Sequence, residues 1–336
     1  MSLPALRALR ERYPDAHIAI LAKPWVADLY GREPFCDRVI SYTSKTWSDR
    51  RAAARALRSE HFDTAILFQN AFEAALIAFL ARIPRRLGYA RDGRSWLLTN
   101  AIPVPRPGSI PGHERFYYLE LLHRAGILDQ LPENNSIRLE CAPTARANGM
   151  QRFQELGMAG PIIGISPGAA YGTAKRWLPE RFAEAAQKIA GEIHGSVAIF
   201  GSKGERELCD SIAQIITKTA PVKNFAGQTT LAEYIDLAAA CHMYLTNDSG
   251  GMHIASALGV PTVAIFGATD DTTTGPTGNH ARVIRENVDC SPCLKRECPI
   301  DHRCMTRVDA NRVASAALDL FTIANGQAAK RGALSC

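Results

Sequence analysis

No stretch of this chain holds the run of about 18 apolar residues that a membrane-crossing helix needs. A secretory leader is missing too, because Arg7, Arg10, Glu11 and Arg12 interrupt any apolar segment near Met1. There is no G-x-G-x-x-G, the usual fingerprint of a dinucleotide cofactor. Strong charge is also lacking: 39 Lys and Arg against 33 Asp and Glu leave +6. No recognition motif accompanies that excess, so a nucleic-acid partner is not expected. The mild positive balance suits an acidic substrate or an anionic membrane surface without naming either. What remains is a cytoplasmic protein of ordinary composition, 46% hydrophobic and 21% charged over 336 residues. That length suggests two domains of roughly 150 residues each.

Apolar periodicity alternates helix and strand from the start. Residues 3–13 carry Leu3, Leu6, Leu9 and Tyr13 near one stripe and read as a helix. Strands follow at 17–23, 37–42 and 62–69, interleaved with helices at 24–30, 47–60 and 71–81. This is a doubly wound order that opens on a helix. Residues 82–94 read as a basic loop holding Arg82, Arg85, Arg86, Arg91 and Arg94. Pro103, Pro105, Pro107 and Pro111 make 102–112 an extended surface loop, and a helix follows at 113–126. A further helix at 143–160 ends on Gly157 and Gly160, and the domain boundary is placed there. The expected division is 1–158, 159–325 and a tail at 326–336. The second half then places strands at 162–167, 196–200, 222–226, 243–247 and 260–266. Helices at 179–190, 204–217, 231–241 and 250–258 lie between them, and one at 309–324 closes the fold.

Two strand-to-helix loops in that half carry the chemistry. Tyr244-Leu245-Thr246-Asn247 is an apolar-type strand that breaks at Asp248-Ser249-Gly250-Gly251 before a helix. A helix start offers unpaired N–H groups and the positive end of a dipole, and the glycines admit a ligand close to the backbone. Upstream, Ile162-Ile163-Gly164-Ile165-Ser166-Pro167-Gly168 leads into a second glycine-bearing loop that holds Lys175 and Arg176. Such a pair describes a diphosphate-binding crevice at the carboxyl ends of parallel strands. Gly201–Glu207 follows another buried-type strand and belongs beside the nucleotide, where Glu205 or Glu207 would meet ribose hydroxyls. Thr229 and Thr230 read as helix caps, and Trp177 as packing for the loop.

Taken together, PGAAYGTAKRW (167–177) and TNDSGGMHIASALGVPTVAIFG (246–267) resemble the ADP-heptose:lipopolysaccharide heptosyltransferases, nearest the heptosyltransferase II type. The resemblance covers most of the chain and is strongest over 160–270. It implies an α/β GT-B fold: two doubly wound Rossmann-like domains facing a cleft, the first binding acceptor and the second the nucleotide sugar. The implied reaction is an inverting transfer of heptose from ADP-heptose to the Kdo-lipid A type inner core of lipopolysaccharide. No cofactor or catalytic metal is implied, and the place of action is the cytoplasmic face of the inner membrane, touched peripherally. Lys175 matches the family's phosphate-contacting lysine and would stabilise the leaving diphosphate. Asp248 matches an aspartate that meets the donor's sugar hydroxyls. Ala170, Tyr171, Thr173, Arg176, Ser249, Gly250, Gly251 and His253 fall at donor-contacting positions of the two motifs. Arg85, Arg86 and Arg91 would face the acid-rich acceptor.

Two features depart from, or add to, that pattern. Family members open with a strand and a glycine-bearing loop holding an aspartate, the proposed general base, before a helix like residues 3–13. Met1 stands nearly where that helix begins, so the first strand and the base are expected to be absent, leaving an inner gap in the sheet. A donor-binding chain without turnover is therefore one alternative, and another nucleotide-binding Rossmann enzyme is a second. Cys290, Cys293, Cys298 and Cys304 lie within 15 residues, with His302 among them. Four sulfurs so placed suit zinc, an iron–sulfur cluster, two disulfides or a plain thiol-rich loop. The resemblance implies a structural staple, since relatives carry a similar segment and their chemistry needs no metal.

Overall fold

The computed structural model describes residues 1–333, with side chains described as far as Gly326. The chain divides into two compact units, Met1–Ile137 and Arg138 onward. Among the described residues no helix is long and apolar enough to cross a membrane.

The first unit runs α1 (Leu3–Arg12), β1 (Ala19–Ala22), α2 (Pro24–Tyr30), β2 (Arg38–Ser41), α3 (Trp47–Ser59), β3 (Thr64–Leu67), α4 (Phe72–Leu80), β4 (Arg85–Tyr89), β5 (Asn100–Ile102) and α5 (Glu114–Arg124). Local chemistry sets the boundaries. Pro4 and Pro24 stand in first turns, where a missing N–H costs nothing. Thr46 and Asp49 close a reciprocal capping box at the start of α3. All strand pairings are parallel, but they form two separate sheets, β1-β2 and β3-β4-β5. The same helices serve both. Leu21, Ile40, Ala65 and Leu67 pack on the buried side chains of α3 and α4, while Ile18, Ile66 and Phe68 pack on α1 and α5. Among the described residues nothing pairs β1 with β3, and the apolar side chains of those strands, Ala22 apart, stay half-buried. The doubly wound sheet is broken between β1 and β3, at an inner position, as the gap expected from the sequence would have it.

The second unit runs α6 (Ala142–Glu155), β6 (Ile162–Ser166), α7 (Pro179–Ile193), β7 (Ser196–Ile199), α8 (Arg206–Ile216), β8 (Val222–Asn224), α9 (Leu231–Ala240), β9 (Met243–Asn247), α10 (Gly250–Ala257), β10 (Thr262–Phe266), α11 (Asp271–Thr274), β11 (Ala281–Arg285), α12 (Arg303–Thr306) and α13 (Ala310–Ala333). Its six parallel strands lie in the order β11-β10-β9-β6-β7-β8. Every residue of β6, β7, β9 and β10 is buried, which is why these segments read as near-continuous apolar runs. The winding direction reverses between β6 and β9, and ligands of such sheets sit outside the carboxyl ends at that reversal.

Four expectations need correction. The unit boundary precedes α6, which packs on α9 and places Phe153 6.2 Å from Phe225; residues 138–158 therefore belong to the second unit. Residues 82–94 are not all loop, since they hold β4. A sixth strand, β11, lies beyond β10; its Arg282 and Arg285 pair with Asp319 and Asp271, so it lacks the apolar signature of an inner strand. The last helix continues through the expected tail to Ala333. The sequence also suggests an exposed Cys336, a residue that lies outside the described residues.

Candidate functional site

Both glycine-bearing loops meet at the β6/β9 reversal. Asn247, the last residue of β9, is fully buried and stitches them together. Its amide nitrogen donates to the Pro167 carbonyl at 2.7 Å, and its amide oxygen accepts the Trp177 N–H at 2.9 Å. One side chain thus fixes both ends of the 167–177 loop. Trp177 fills the core beneath, with its ring centroid 4.9 Å from Phe182 and its indole N–H on the Val308 carbonyl.

Held between those ends, a single turn at Thr173–Lys175 aims Lys175 across the crevice. Its Nζ donates to Asp248 Oδ2 at 2.6 Å, and the Thr269 hydroxyl donates to the same oxygen at 2.6 Å. Asp248 is almost wholly buried and Lys175 only slightly exposed, so the pair is well shielded from solvent. The Tyr171 ring lies beside Lys175, with Nζ 4.7 Å from its centroid. Ala170, Tyr171 and Thr173 face solvent on the loop. Arg176 is half-buried; it reaches the Ala169 carbonyl, and its buried Nε has no hydrogen-bond partner.

On the other side, Ser249 caps α10 with its backbone extended, and its hydroxyl meets Thr246 at 3.2 Å. Gly250 borders open space, whereas Gly251 rests on Ser166 and Tyr234. Below them runs a buried hydroxyl chain, Ser166 to Tyr244 at 2.6 Å and Tyr244 to Tyr234 at 2.9 Å. Burial pushes the Tyr234 hydroxyl up to about 12 and raises Tyr244 well above its ordinary value, so both stay neutral donors. His253 lies half-buried in the first turn of α10.

The third loop places its two candidate carboxylates differently. Glu205 leans on the end of β6 so closely that a Cβ on Gly168 would stand 1.8 Å from its Oε1. Its Oε2 accepts from the Ser202 N–H and hydroxyl, both at 2.8 Å. Glu207 faces solvent on α8, so the crevice carboxylate is Glu205. Thr230 is the cap of α9, as its sequence position suggests.

Sequence reasoning missed three contributors. Thr269 bears only a hydroxyl, and Asn247 reads equally well as a helix cap. The third is the cysteine-bearing segment, which binds the 171–175 loop through backbone: Ala174 N–H donates to the Arg296 carbonyl at 2.9 Å, and the Tyr171 hydroxyl to the Leu294 carbonyl at 2.8 Å. Cys290, Cys293, Cys298 and Cys304 are free thiols lining one cavity of about 200 Å³, beside His302. The His302 N–H donates to Cys298 Sγ, and burial lifts the Cys304 thiol to about 11. Among the described residues no three His, Cys, Asp or Glu side chains are arranged to hold a metal ion.

The arginines of the first unit separate. Arg85 and Arg86 stand at the amino end of β4, the edge opposite to that where ligands of parallel sheets bind. Arg86 donates to the carbonyls of Leu97 and Ile83 and stacks 5.5 Å from the Phe79 ring. Arg91 lies past the carboxyl end, 3.6 Å from Asp92. Arg94 is fully buried and ties the Tyr89, Gln69 and Ala71 carbonyls together, a structural role.

Known proteins resemble this chain along most of its length. The sequence profile of glycosyltransferase family 9 (heptosyltransferase) matches residues 50–303. The lipopolysaccharide heptosyltransferase 2 of Escherichia coli is 33% identical, over 85% of this chain and 84% of its own length. The lipooligosaccharide heptosyltransferase 2 of Campylobacter jejuni is 30% identical over 96% of this chain and 94% of its own. The solved structure of the E. coli ADP-heptose lps heptosyltransferase II superposes with a TM-score of 0.82 at 28% identity, covering 96% and 95% of the two chains.

Proposed function

The chain belongs to glycosyltransferase family 9, the heptosyltransferases, and from that premise we propose that it moves heptose from ADP-heptose to the inner core of lipopolysaccharide. The Lys175–Asp248 pair at the β6/β9 reversal carries this reading. In the proposed reaction an acceptor hydroxyl oxygen bonds to the anomeric carbon from the face opposite the diphosphate. The bond from that carbon to the phosphate oxygen breaks, ADP departs with its electron pair, the hydroxyl proton passes to solvent, and the configuration inverts. Charge growing on the leaving oxygen is met by Lys175 and by the N–H groups of Ser249, Gly250 and Gly251, without a metal. Asp248, held by Lys175 and Thr269, is placed to accept hydrogen bonds from sugar hydroxyls. Glu205 fits the ribose, and Ala170, Tyr171, Thr173, Arg176 and His253 line the remaining approach.

The acceptor is a lipid, so the proposal includes work at the cytoplasmic face of the inner membrane. Phe72, Phe79 and Trp96 support it: their rings cluster at 6.2 and 6.3 Å, and Trp96 is 69% exposed. Arg82 and Arg85 lie exposed nearby in sequence, and Arg86 stacks on the cluster. An exposed aromatic cluster with an arginine stacked on it suits an anionic interface. Arg91 is kept as the acceptor-facing arginine.

Calorimetric titration with ADP and ADP-heptose tests the donor site. Micromolar binding, about −8 kcal/mol, that Lys175→Ala abolishes is the expected outcome. Binding of NAD in place of ADP would overturn the reading. Turnover unchanged by EDTA, with an inverted anomeric product by NMR, tests the chemistry.

A further inference from the structure

The segment between β11 and α12 has little regular structure, yet it is fastened along the donor loop. Leu294 donates its N–H to the Ala268 carbonyl at 2.8 Å, and its own carbonyl accepts from the Tyr171 hydroxyl. The Arg296 carbonyl accepts the Ala174 N–H, and His302 Nε2 lies 3.1 Å from the Ala174 carbonyl. Contact with the loop is so close that a Cβ on Gly172 would stand 2.2 Å from the Arg296 carbonyl oxygen. The backbone at 296 is therefore positioned as firmly as the loop itself.

That placement delivers a charge. The Arg296 guanidinium carbon stands 5.2 Å from the centroid of the Tyr171 ring, the same ring that Lys175 Nζ approaches at 4.7 Å. The two cations differ in one respect. Lys175 is already neutralised by Asp248 at 2.6 Å. Arg296 is exposed, and among the described residues no carboxylate pairs with it. A diphosphate arriving beside Lys175 would meet a lysine–aspartate pair of almost no net charge. Arg296 supplies the missing positive charge, in the planar forked form that suits phosphate oxygens.

We infer that Arg296 is a second cationic ligand of the donor's diphosphate, carried into the crevice by the cysteine-bearing segment and held against the Tyr171 ring. This rests on the donor-site reading above, and it assigns the segment a part in binding as well as in folding. The ligand class is a nucleoside diphosphate or its sugar ester; a nucleoside without phosphate would not notice the residue.

ADP and adenosine are titrated into the parent protein and into Arg296→Gln, Arg296→Lys and Lys175→Ala variants. The backbone carbonyl survives all three substitutions, so the segment keeps its anchors. Arg296→Gln is expected to weaken ADP about ten- to hundredfold, the size of a charge-assisted contact, with adenosine unchanged. Arg296→Lys recovers part of the loss. The salt dependence of ADP binding becomes shallower in Arg296→Gln. ADP binding within twofold of the parent would overturn the inference, and so would equal loss of ADP and adenosine, which would mark a structural role. Failure of the parent protein itself to bind ADP is a separate outcome that removes the donor-site reading beneath it.

Discussion

Asn247→Ala removes the side chain that ties both ends of the donor loop, and its cost can be worked from two hydrogen bonds. The Trp177 N–H and the Pro167 carbonyl both lie in buried surroundings and lose their partner at 2.9 and 2.7 Å. A buried polar group left unpaired costs about 1–3 kcal/mol, so two groups at about 2 each give about 4 kcal/mol. At 2–4 °C per kcal/mol for a unit of this size, the melting temperature falls by roughly 8–16 °C. Scanning calorimetry with and without ADP is the assay, since only the unit that binds ADP should have its transition raised by the ligand. Asn247→Asp is the control: it keeps an acceptor for Trp177 but places a carboxylate against the Pro167 carbonyl, and it should be no better than alanine. Melting within about 2 °C of the parent, with unchanged ADP affinity, would refute the idea that this amide fixes the loop.

Asp248→Asn frees Lys175 from its counter-charge; ADP, which has no sugar to lose contact with, should bind severalfold more tightly, while ADP-heptose loses that advantage. Parallel titrations check it, and weaker ADP binding would contradict the charge balance. Gly172→Ala forces the Arg296 carbonyl aside, because the added Cβ would meet it at 2.2 Å; ADP affinity should fall as in Arg296→Gln, and calorimetry reads the change. The pH dependence of stability should carry a mark of His242. Its Nδ1 accepts the Ile162 N–H at 3.0 Å, and burial, then Arg146, lowers its pKa below the usual 6.5. The unfolded chain then binds the proton first, so this contribution is present above about pH 6.5 and is lost as pH falls towards the lowered folded value. Denaturant midpoints measured from pH 8 to pH 5 should fall less in His242→Asn than in the parent.

Legibility in the sequence followed burial. The central strands of the second unit are enclosed on both faces, so Ile162–Ser166, Met243–Asn247 and Thr262–Phe266 announce themselves as apolar runs that end in polar turns. Those ends are where the sequence places its candidate crevice and Lys175. Where a strand is short or lies at an edge, the pattern fades: β5 has three residues, β11 holds two arginines among its five positions, and β4 begins with two arginines. The 82–94 stretch therefore read as a loop for acceptor acids, although Arg94 lies wholly inside and Arg86 is spent on carbonyls and a phenylalanine ring.

The cysteine-bearing segment was unreadable for a different reason. Its hold on the donor loop is made by the carbonyls of Leu294 and Arg296, and any residue type supplies a carbonyl. A motif records side chains that chemistry demands, but this junction demands only a backbone path and the absence of a Cβ at Gly172. Tyr171 and Leu294 stand 123 residues apart, so no local window could have joined them. Yet the junction decides the sign of the field at the crevice. Lys175, the residue the sequence marks most plainly, is cancelled by Asp248. Charge left over belongs to Arg296, beside the half-buried Arg176 of the loop itself, and the sequence marks Arg296 only as one more basic residue in a thiol-rich loop. In a crevice that must receive a diphosphate, the cation without a carboxylate sets the attraction, and the paired one sets the geometry.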